Sequence, residues 1–479
     1  MGETPGSHRQ GPVTSEQGPA GRGPAGPGGA LVARPGKLGL PAAVALVVGN
    51  IVGTGVFLLP SSLAAYGTVS ILSMGVVTIG AIALAVVFGR LGARVPASGG
   101  PYAYAKDAFG EFSGFWNAWS FWLTSWIGNA AMAVVWVNYV NYFLGWTSLG
   151  GQLALALVAL WIPALINLSG VKNIGWFALV TAVLKFIPLV FVAVVGLFFI
   201  DGANFGGFNV TGGSWPAALS TAGALTLFIY SGVESATIVA EKVTDPVRNI
   251  GRASVYGVLI CAAMYMLSTF AVFGTVPHER LVDSTAPFAD AINTMFGGGV
   301  GGGVMAACAI VSGIGAINGW TMLVAEMPLA AARDGMFPKV FASENRRGAP
   351  AFGIVLGAAL TSLVAVYNYF GTGSGFNQIL LIATFTTVIP YFFSACAQLF
   401  WLVTGARRVS GARLGRDLAI TTLAILFAFW MTYGAGMEAI FIGFLMMLVG
   451  IPVYIWVKAK RGEYGPRGEV PASPATPPS

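Results

Sequence analysis

The chain has 479 residues, of which 56% are hydrophobic and only 9% are charged. Soluble domains carry roughly a quarter charged residues, so this composition excludes a water-soluble fold. The net charge of +7 does not indicate a nucleic-acid-binding surface, because the basic residues follow a membrane topology that is described below.

The two ends of the chain lack the apolar character of the middle. Residues 1–36 and 462–479 are rich in Gly and Pro and are predicted to be disordered cytoplasmic tails. No secretory signal is expected, since the first apolar run begins only near Leu38. Residues 37–461 are predicted to form a single membrane domain.

The middle of the chain consists of apolar runs that are each long enough, at about 20 residues, to cross a bilayer as a helix. The runs do not alternate between apolar and polar residues as barrel strands do, so the predicted fold class is an all-α polytopic membrane protein. The twelve predicted spans are 38–66, 69–91, 112–145, 151–169, 174–200, 216–240, 252–276, 299–332, 350–370, 376–403, 416–434 and 437–457.

The 25 Lys and Arg residues are distributed asymmetrically over the loops between these spans. With the N-terminus in the cytoplasm, only Arg280 lies on the opposite side and only Lys185 lies in the interior of a span, away from its ends. This bias follows the positive-inside rule. It predicts a multi-pass protein of the cell inner membrane with both termini in the cytoplasm.

The first predicted span contains three glycines within seven residues, Gly49, Gly53 and Gly55. Each costs about 1 kcal/mol relative to Ala inside a helix, so the spacing favours local unwinding. Unwound backbone is tolerated in a bilayer only where it faces protein or a water-filled cavity. The N–H groups of the following half-helix would suit a carboxylate. Close helix packing through small residues is the alternative explanation of the spacing.

A second break is predicted in the sixth span, where residues 229–235 combine Gly232 with the intramembrane carboxylate of Glu234. Ionisable groups inside a bilayer are costly and usually functional. Spans one and six begin two five-helix halves, and paired interruptions at matching positions indicate a transport site near the middle of the membrane.

Several stretches resemble the amino acid–polyamine–organocation (APC) superfamily of transporters, namely 50–60, 96–104, 232–235 with 249–250, and 331–338. The third-span stretch 122–132 is most similar to that of the bacterial arginine/agmatine antiporters of this superfamily. The resemblance implies two inverted five-helix repeats, spans 1–5 and 6–10, with discontinuous helices 1 and 6. Two further helices complete the transporter domain at 37–461.

The resemblance also implies roles for individual residues. Thr54 and Gly55 would take the substrate carboxylate, and the carbonyls of Ile51, Phe228 and Ser231 would hold the α-ammonium. The implied substrate-binding residues are Ile51, Thr54, Gly55, Thr124, Ser125, Asn129, Phe228, Ser231 and Trp320. The implied gating or proton-coupling residues are Tyr102, Phe121, Lys185 and Glu234.

Two positions depart from the arginine-exchanging members. Phe228 stands where they have Trp, and cation–π attraction is weaker for Phe. Lys185 replaces a small residue and resembles sodium-independent members, including proton-coupled symporters. Either Lys185 or Glu234 could exchange a proton during transport. Snorkelling of Lys185 to the membrane surface is the alternative.

The sequence lacks the signatures of other classes of membrane protein. There is neither a nucleotide-binding Walker sequence nor a potassium-filter sequence. The only histidines are His8 and His278, and the three cysteines have no metal spacing. No enzyme activity, cofactor, metal site or nucleic-acid partner is therefore expected. The expected partners are a small amino acid or amine and membrane lipid, with a homodimer left open.

The predicted function is secondary active exchange of cationic amino acids and their amine products by alternating access. One alternative is sodium-independent, proton-coupled symport of neutral or broad-range amino acids. An amino acid sensor on a transporter fold is the alternative from another class, and it would bind solute without moving it across a membrane.

Overall fold

A computed structural model describes residues 38–95, 99–170, 174–238, 240, 243–370, 375–404 and 411–462. Within these residues the regular structure is helical, and the only β-type pairing is an isolated bridge between Leu38 and Val243. The two predicted tails lie outside the described residues, apart from Gly462.

The described residues form sixteen α-helices and four short 3-10 turns. The helices are α1 (Leu40–Ile51), α2 (Leu59–Ala64), α3 (Val69–Arg94), α4 (Pro101–Phe109), α5 (Glu111–Leu144), α6 (Leu149–Leu168), α7 (Ile174–Val195), α8 (Trp215–Phe228), α9 (Ser235–Ile238), α10 (Pro246–Thr275), α11 (His278–Val282), α12 (Pro287–Phe296), α13 (Val300–Arg333), α14 (Ala351–Phe370), α15 (Gly375–Thr404) and α16 (Gly411–Lys460). The 3-10 turns are Thr54–Phe57, Gly196–Phe199, Gly202–Phe205 and Lys339–Ala342.

Eight of these helices are long and apolar enough to cross a membrane, namely α3, α5, α6, α10, α13, α14, α15 and α16. Helix α16 is two helices in succession, because Gly436 has φ 81° and breaks the helical backbone. The remaining predicted runs correspond to shorter pieces: α1 with α2, α7 with the turn after it, and α8 with α9. The predicted all-α polytopic fold is therefore confirmed.

The predicted spans differ from the structure mainly at their ends and in the loops. Helix α10 begins six residues earlier than predicted, at Pro246, because Asp245 adopts a left-handed conformation (φ 46°) and the proline begins the helix. Helices α4, α11 and α12 were not predicted, since each is too short to cross a bilayer and lies in a segment interpreted as a loop.

Glycines bring α3 and α10 into backbone contact. A Cβ atom on Gly89 would collide with the Cα atom of Gly251, so only glycine fits at this crossing. Helix α10 also packs against α1, and α5 packs against α13 and α15. These helices surround the two interrupted spans, so the backbone breaks lie within protein and not against lipid.

Candidate functional site

The first break lies where the glycine spacing predicts it. Helix α1 ends at Ile51, and Gly53 is extended (φ −86°, ψ −173°) before a 3-10 turn begins at Thr54. The first N–H groups of such a turn have no acceptor within the turn itself. They therefore form a small set of donors at the broken end, as an anion site requires.

Lys185, on the neighbouring α7, contacts the carbonyl groups at the end of α1. Its Nζ donates to the carbonyl oxygen of Val52 at 2.7 Å and to that of Gly49 at 3.4 Å. The last carbonyls of a helix lack intrahelical donors and form the negative end of the helix dipole, which an ammonium group complements. Lys185 is only 5% exposed, so it does not snorkel to the membrane surface.

The second break lies between the end of α8 at Phe228 and the start of α9 at Ser235. Gly232 adopts φ 109° within it, and a Cβ atom there would lie 2.9 Å from the backbone carbon of Asn50. Both the left-handed backbone and the close approach require glycine. The two breaks thus touch each other.

Glu234 is held by the same break and by a distant helix. Its Oε2 accepts from the Gly232 N–H at 3.2 Å and from the Tyr391 hydroxyl, on α15, at 2.8 Å. The residue is 1% exposed. The sequence does not indicate this role of Tyr391, because nothing there distinguishes it from the other aromatic residues of the tenth span.

The carbonyl of Ile51 is already engaged in this conformation. It accepts from the Gly53 N–H at 2.8 Å and from the hydroxyl of Tyr265, on α10, at 3.0 Å. A carbonyl oxygen has two lone pairs. A substrate ammonium at this oxygen would therefore compete with Tyr265, another residue that the sequence did not reveal.

Phe228 lies between two glycines. A Cβ atom on Gly55 would lie 3.7 Å from the Phe228 ring, and one on Gly128, in α5, would lie 2.9 Å from it. The absence of a side chain at Gly128 therefore leaves room for the Phe228 ring.

Five predicted substrate-binding residues, Ile51, Gly55, Phe228, Ser231 and Trp320, meet around a cavity of about 20 Å³, which we call the site cavity. Its other lining residues are Asn50, Gly53, Val56, Met132 and Ile229. This volume holds little more than one water molecule. The site is therefore contracted in this conformation.

Two larger cavities continue from the site cavity. A middle cavity of about 270 Å³ shares Asn50 and Trp320 with it and is also lined by Glu234. A vestibule of about 410 Å³ shares Phe121 with the middle cavity and extends to Arg333, at the end of α13. The cavities thus lead towards the side of the molecule that carries the basic loops.

Tyr102, a predicted gate residue, lines the vestibule from α4. Its hydroxyl donates to Asp334 Oδ2 at 3.0 Å, just beyond the end of α13. Burial and the nearby Asp334 carboxylate raise the pKa of Tyr102 well above its usual value. The phenol therefore remains a hydrogen-bond donor that ties α4 to α13.

The opposite side of the site is closed. A separate pocket of about 520 Å³ begins at Leu58 and shares no lining residue with the site cavity. Phe57 precedes it, is fully buried, and packs its ring against Tyr139 and Phe288 at centroid distances of 5.9 and 5.6 Å. The Tyr139 hydroxyl also donates to the Phe57 carbonyl at 2.9 Å.

The remaining predicted binding residues do not line the three connected cavities. The Thr54 hydroxyl donates to the Met132 carbonyl at 3.3 Å, and that of Ser125 to the Phe121 carbonyl at 2.7 Å. Two others join α5 to neighbouring helices: Thr124 donates to Thr386 Oγ1 at 2.8 Å and Asn129 to Thr321 Oγ1 at 3.1 Å. Their donor groups are engaged by protein acceptors here, whereas the buried Asn129 Oδ1 has no hydrogen-bond partner among the described residues.

The family model for amino acid permeases matches residues 38–457, nearly the whole described part of the chain. The chain belongs to this family. It is a transporter and not an enzyme. The matched region contains both broken spans, Lys185 and Glu234, so the permease domain and the cavities coincide.

Several curated relatives of the permease are amine or amino acid transporters. It is 30% identical to the putrescine transporter PotE of Escherichia coli over 425 residues, 88% of this chain and 96% of PotE. It is 30% identical to an arginine/ornithine antiporter of Pseudomonas aeruginosa over 447 residues, 89% and 92% of the two chains. It is 28% identical to an arginine/agmatine antiporter of Chlamydia pneumoniae over 437 residues, 88% and 90%.

Carboxylates dominate the ionisable residues along the permease's three connected cavities. Glu234 lines the middle cavity, and Glu326 and Glu344 line the vestibule. The one basic residue of these linings within the described chain is Arg333, whose Nη2 lies 3.2 Å from Glu344 Oε1. Arg333 offsets the charge of Glu344, and Glu234 is the carboxyl group of the middle cavity, which adjoins the site cavity.

Proposed function

We propose that this permease exchanges cationic amino acids and their amine products across the inner membrane by alternating access, with both termini in the cytoplasm. The observation that carries the proposal is the carboxyl group of Glu234 in the middle cavity, next to the site cavity. In its ionised form this group would attract the distal amine of a cationic solute and repel an anionic solute. The names of the relatives, which include arginine, ornithine, agmatine and putrescine, support the same substrate class.

The substrate's amino acid end would lie in the site cavity. Its carboxylate would accept from the N–H groups at Thr54 and Gly55, where the 3-10 turn begins. The distal amine would extend past Trp320 into the middle cavity, towards Glu234. Because the site cavity is contracted, binding would require Phe228 to move away from Gly55.

Transport is proposed to be independent of sodium. A sodium-driven relative needs a cation cavity between spans one and eight, close to span five. The Lys185 ammonium from span five already occupies the carbonyl oxygens of Gly49 and Val52. A fixed positive charge in that position would stabilise the carbonyl oxygens that a bound sodium ion would otherwise contact.

Proton-coupled symport of neutral amino acids is the second candidate. It is favoured by Phe228, whose ring attracts a cation less than Trp does, and by a buried Lys185 that could exchange a proton. Membrane lipid remains an expected partner, and the sequence leaves a homodimer open.

Reconstituted transport separates these candidates. Proteoliposomes would be loaded with arginine, agmatine, ornithine, putrescine, leucine or no solute, and uptake of labelled arginine and leucine followed with and without a pH gradient. Exchange requires an internal cationic solute and gives little uptake into empty vesicles. Uptake into empty vesicles that follows an imposed pH gradient would instead establish symport. Binding without flux would identify a sensor.

A further inference from the structure

A separate cavity of about 580 Å³ lies where α13 and α16 end, beside the 3-10 turn Lys339–Ala342. It shares only Arg333 with the vestibule. The cavity, which we call the basic cavity, plays no part in the proposed transport path. The charged residues of its lining are Arg333, Asp334, Lys339, Lys460 and Arg461.

The charges around the basic cavity do not balance. Four basic side chains line it against the single carboxylate of Asp334, which itself accepts from Tyr102. Arg333 is paired with Glu344, which lies outside the cavity lining. Lys339 and Lys460 form no ion pair with any described residue. The cavity therefore presents uncompensated positive charge.

The backbone positions these charges around one concave surface. Arg461 Nη1 donates to the Gly335 carbonyl at 3.0 Å, which joins the end of α16 to the turn after α13. Lys460 Nζ lies 4.3 Å from the centre of the Trp456 ring, so the aromatic face holds the ammonium at the rim.

The rim of the basic cavity is apolar on its outer side. Trp456 is 46% exposed and Val340 is 44% exposed, although both lie next to lysines. Tryptophan beside basic residues at the end of a spanning helix is typical of the interface between the acyl chains and the headgroups. A small soluble anion has no apolar part that could pack on this surface.

We propose that the basic cavity binds the phosphate headgroup of an anionic phospholipid, with Lys339 and Lys460 contacting the phosphate and an acyl chain lying against Trp456 and Val340. Basic pockets between membrane helices bind such headgroups elsewhere. Free phosphate has the same charge chemistry but no acyl chain, and the proposal is specifically for the lipid.

Binding of the lipid would bear on transport through Asp334. This residue lines the basic cavity and also accepts the hydroxyl of Tyr102, which lines the vestibule. A headgroup in the cavity would hold the ends of α13 and α16 together beside that hydrogen bond. Anionic lipid would thus support the present arrangement of α4 against α13.

The test uses the full-length permease, purified and delipidated in detergent, with fluorescent tetraoleoyl cardiolipin as the probe. Lys339→Gln with Lys460→Gln should weaken binding about 25-fold, since each basic side chain near an anionic headgroup contributes about fivefold. Arg248→Gln with Arg252→Gln is the matched control: both are exposed, at the start of α10 and outside the basic cavity. It should change binding less than threefold.

Two further arms make the result decisive. Lys339→Arg with Lys460→Arg keeps the charge and should bind as the unmodified protein does. Inorganic phosphate or glycerol phosphate should displace cardiolipin only at far higher concentrations than unlabelled cardiolipin requires. Equal weakening by the α10 control pair, or displacement by phosphate and lipid at similar concentrations, would overturn the proposal.

Discussion

The ammonium of Lys185 lies 2.7 Å from the carbonyl oxygen of Val52, at the point where the first span stops being helical. A single side chain from α7 thus satisfies backbone that lipid could not. The same contact fixes the position of Gly53 and the turn that follows, so it couples the fifth span directly to the proposed carboxylate site.

Replacing Lys185 by Met should weaken arginine binding at least tenfold at every pH, because the charged hydrogen bonds to Val52 and Gly49 contribute roughly 1.5–3 kcal/mol. Calorimetric binding between pH 5 and 8 measures this. Ile187→Met, on the same helix and 60% exposed, is the matched control and should have no effect. Normal binding combined with loss of the response to a pH gradient would contradict this structural role of Lys185. It would instead establish that Lys185 couples transport to protons.

Uptake should be the same in sodium and in choline media, because an ammonium already lies on the carbonyls that would face a sodium ion. Initial rates of arginine exchange in proteoliposomes, at matched ionic strength and membrane potential, provide the measurement. A severalfold fall in choline would refute the proposed sodium independence.

Gly55→Leu should abolish substrate binding while the protein still folds. A Cβ atom at this position already lies 3.7 Å from the Phe228 ring, so the longer side chain must fill the site cavity. Gly49→Leu provides the control, since a Cβ atom there meets nothing within 4 Å. Binding by calorimetry and the unfolding temperature are compared for both variants. A Gly55→Leu protein that binds arginine normally shows that the site is elsewhere.

Tyr391→Phe should slow exchange about tenfold or more, because it removes a hydrogen bond to a buried carboxylate, which is worth roughly 1.5–3 kcal/mol. The ring remains able to pack on Phe88, at 5.4 Å between centroids, so the fold should be kept. Tyr433→Phe, 70% exposed on α16, is the control. If both variants exchange at the original rate, Tyr391 does not act through Glu234.

Trp320→Leu should weaken binding of arginine about fivefold or more, on the order of 1 kcal/mol for a cation over an indole face. The loss should be smaller for leucine analogues, which have no distal charge. Trp146→Leu, 47% exposed and outside the cavities, controls for the removal of an indole. Equal losses for the two solutes would rule out a cation–π contribution from Trp320.

The broken spans were predictable because their signals are local. The helix breaks occur at the glycines themselves, namely Gly53, Gly55 and Gly232. The sequence also shows two charged residues within apolar runs, Lys185 and Glu234. The hydrogen-bond partners Tyr265 and Tyr391 were not predictable. Each lies more than 150 residues from the group it contacts, and the sequence does not record that distance in space.

The sequence also does not predict which face of α5 lies towards the substrate path. This helix is buried around nearly its whole circumference, so apolar residues occur on every side and no polar stripe marks its orientation. Thr124, Ser125 and Asn129 consequently match the family's binding positions in sequence, yet here they hydrogen-bond to protein groups.

The contact between Gly89 and Gly251 has a mechanical consequence. Helices α3 and α10 correspond to the second and seventh predicted spans, which the family resemblance places at matching positions in the two five-helix halves. The two backbones touch directly at this crossing, and elsewhere along the same pair Ile250 packs over Gly92 and Met266 over Gly75. Turning one helix against the other would therefore require these side chains to repack. The glycine crossing thus fixes a short distance between the two spans, and any added methyl group there would act as a wedge.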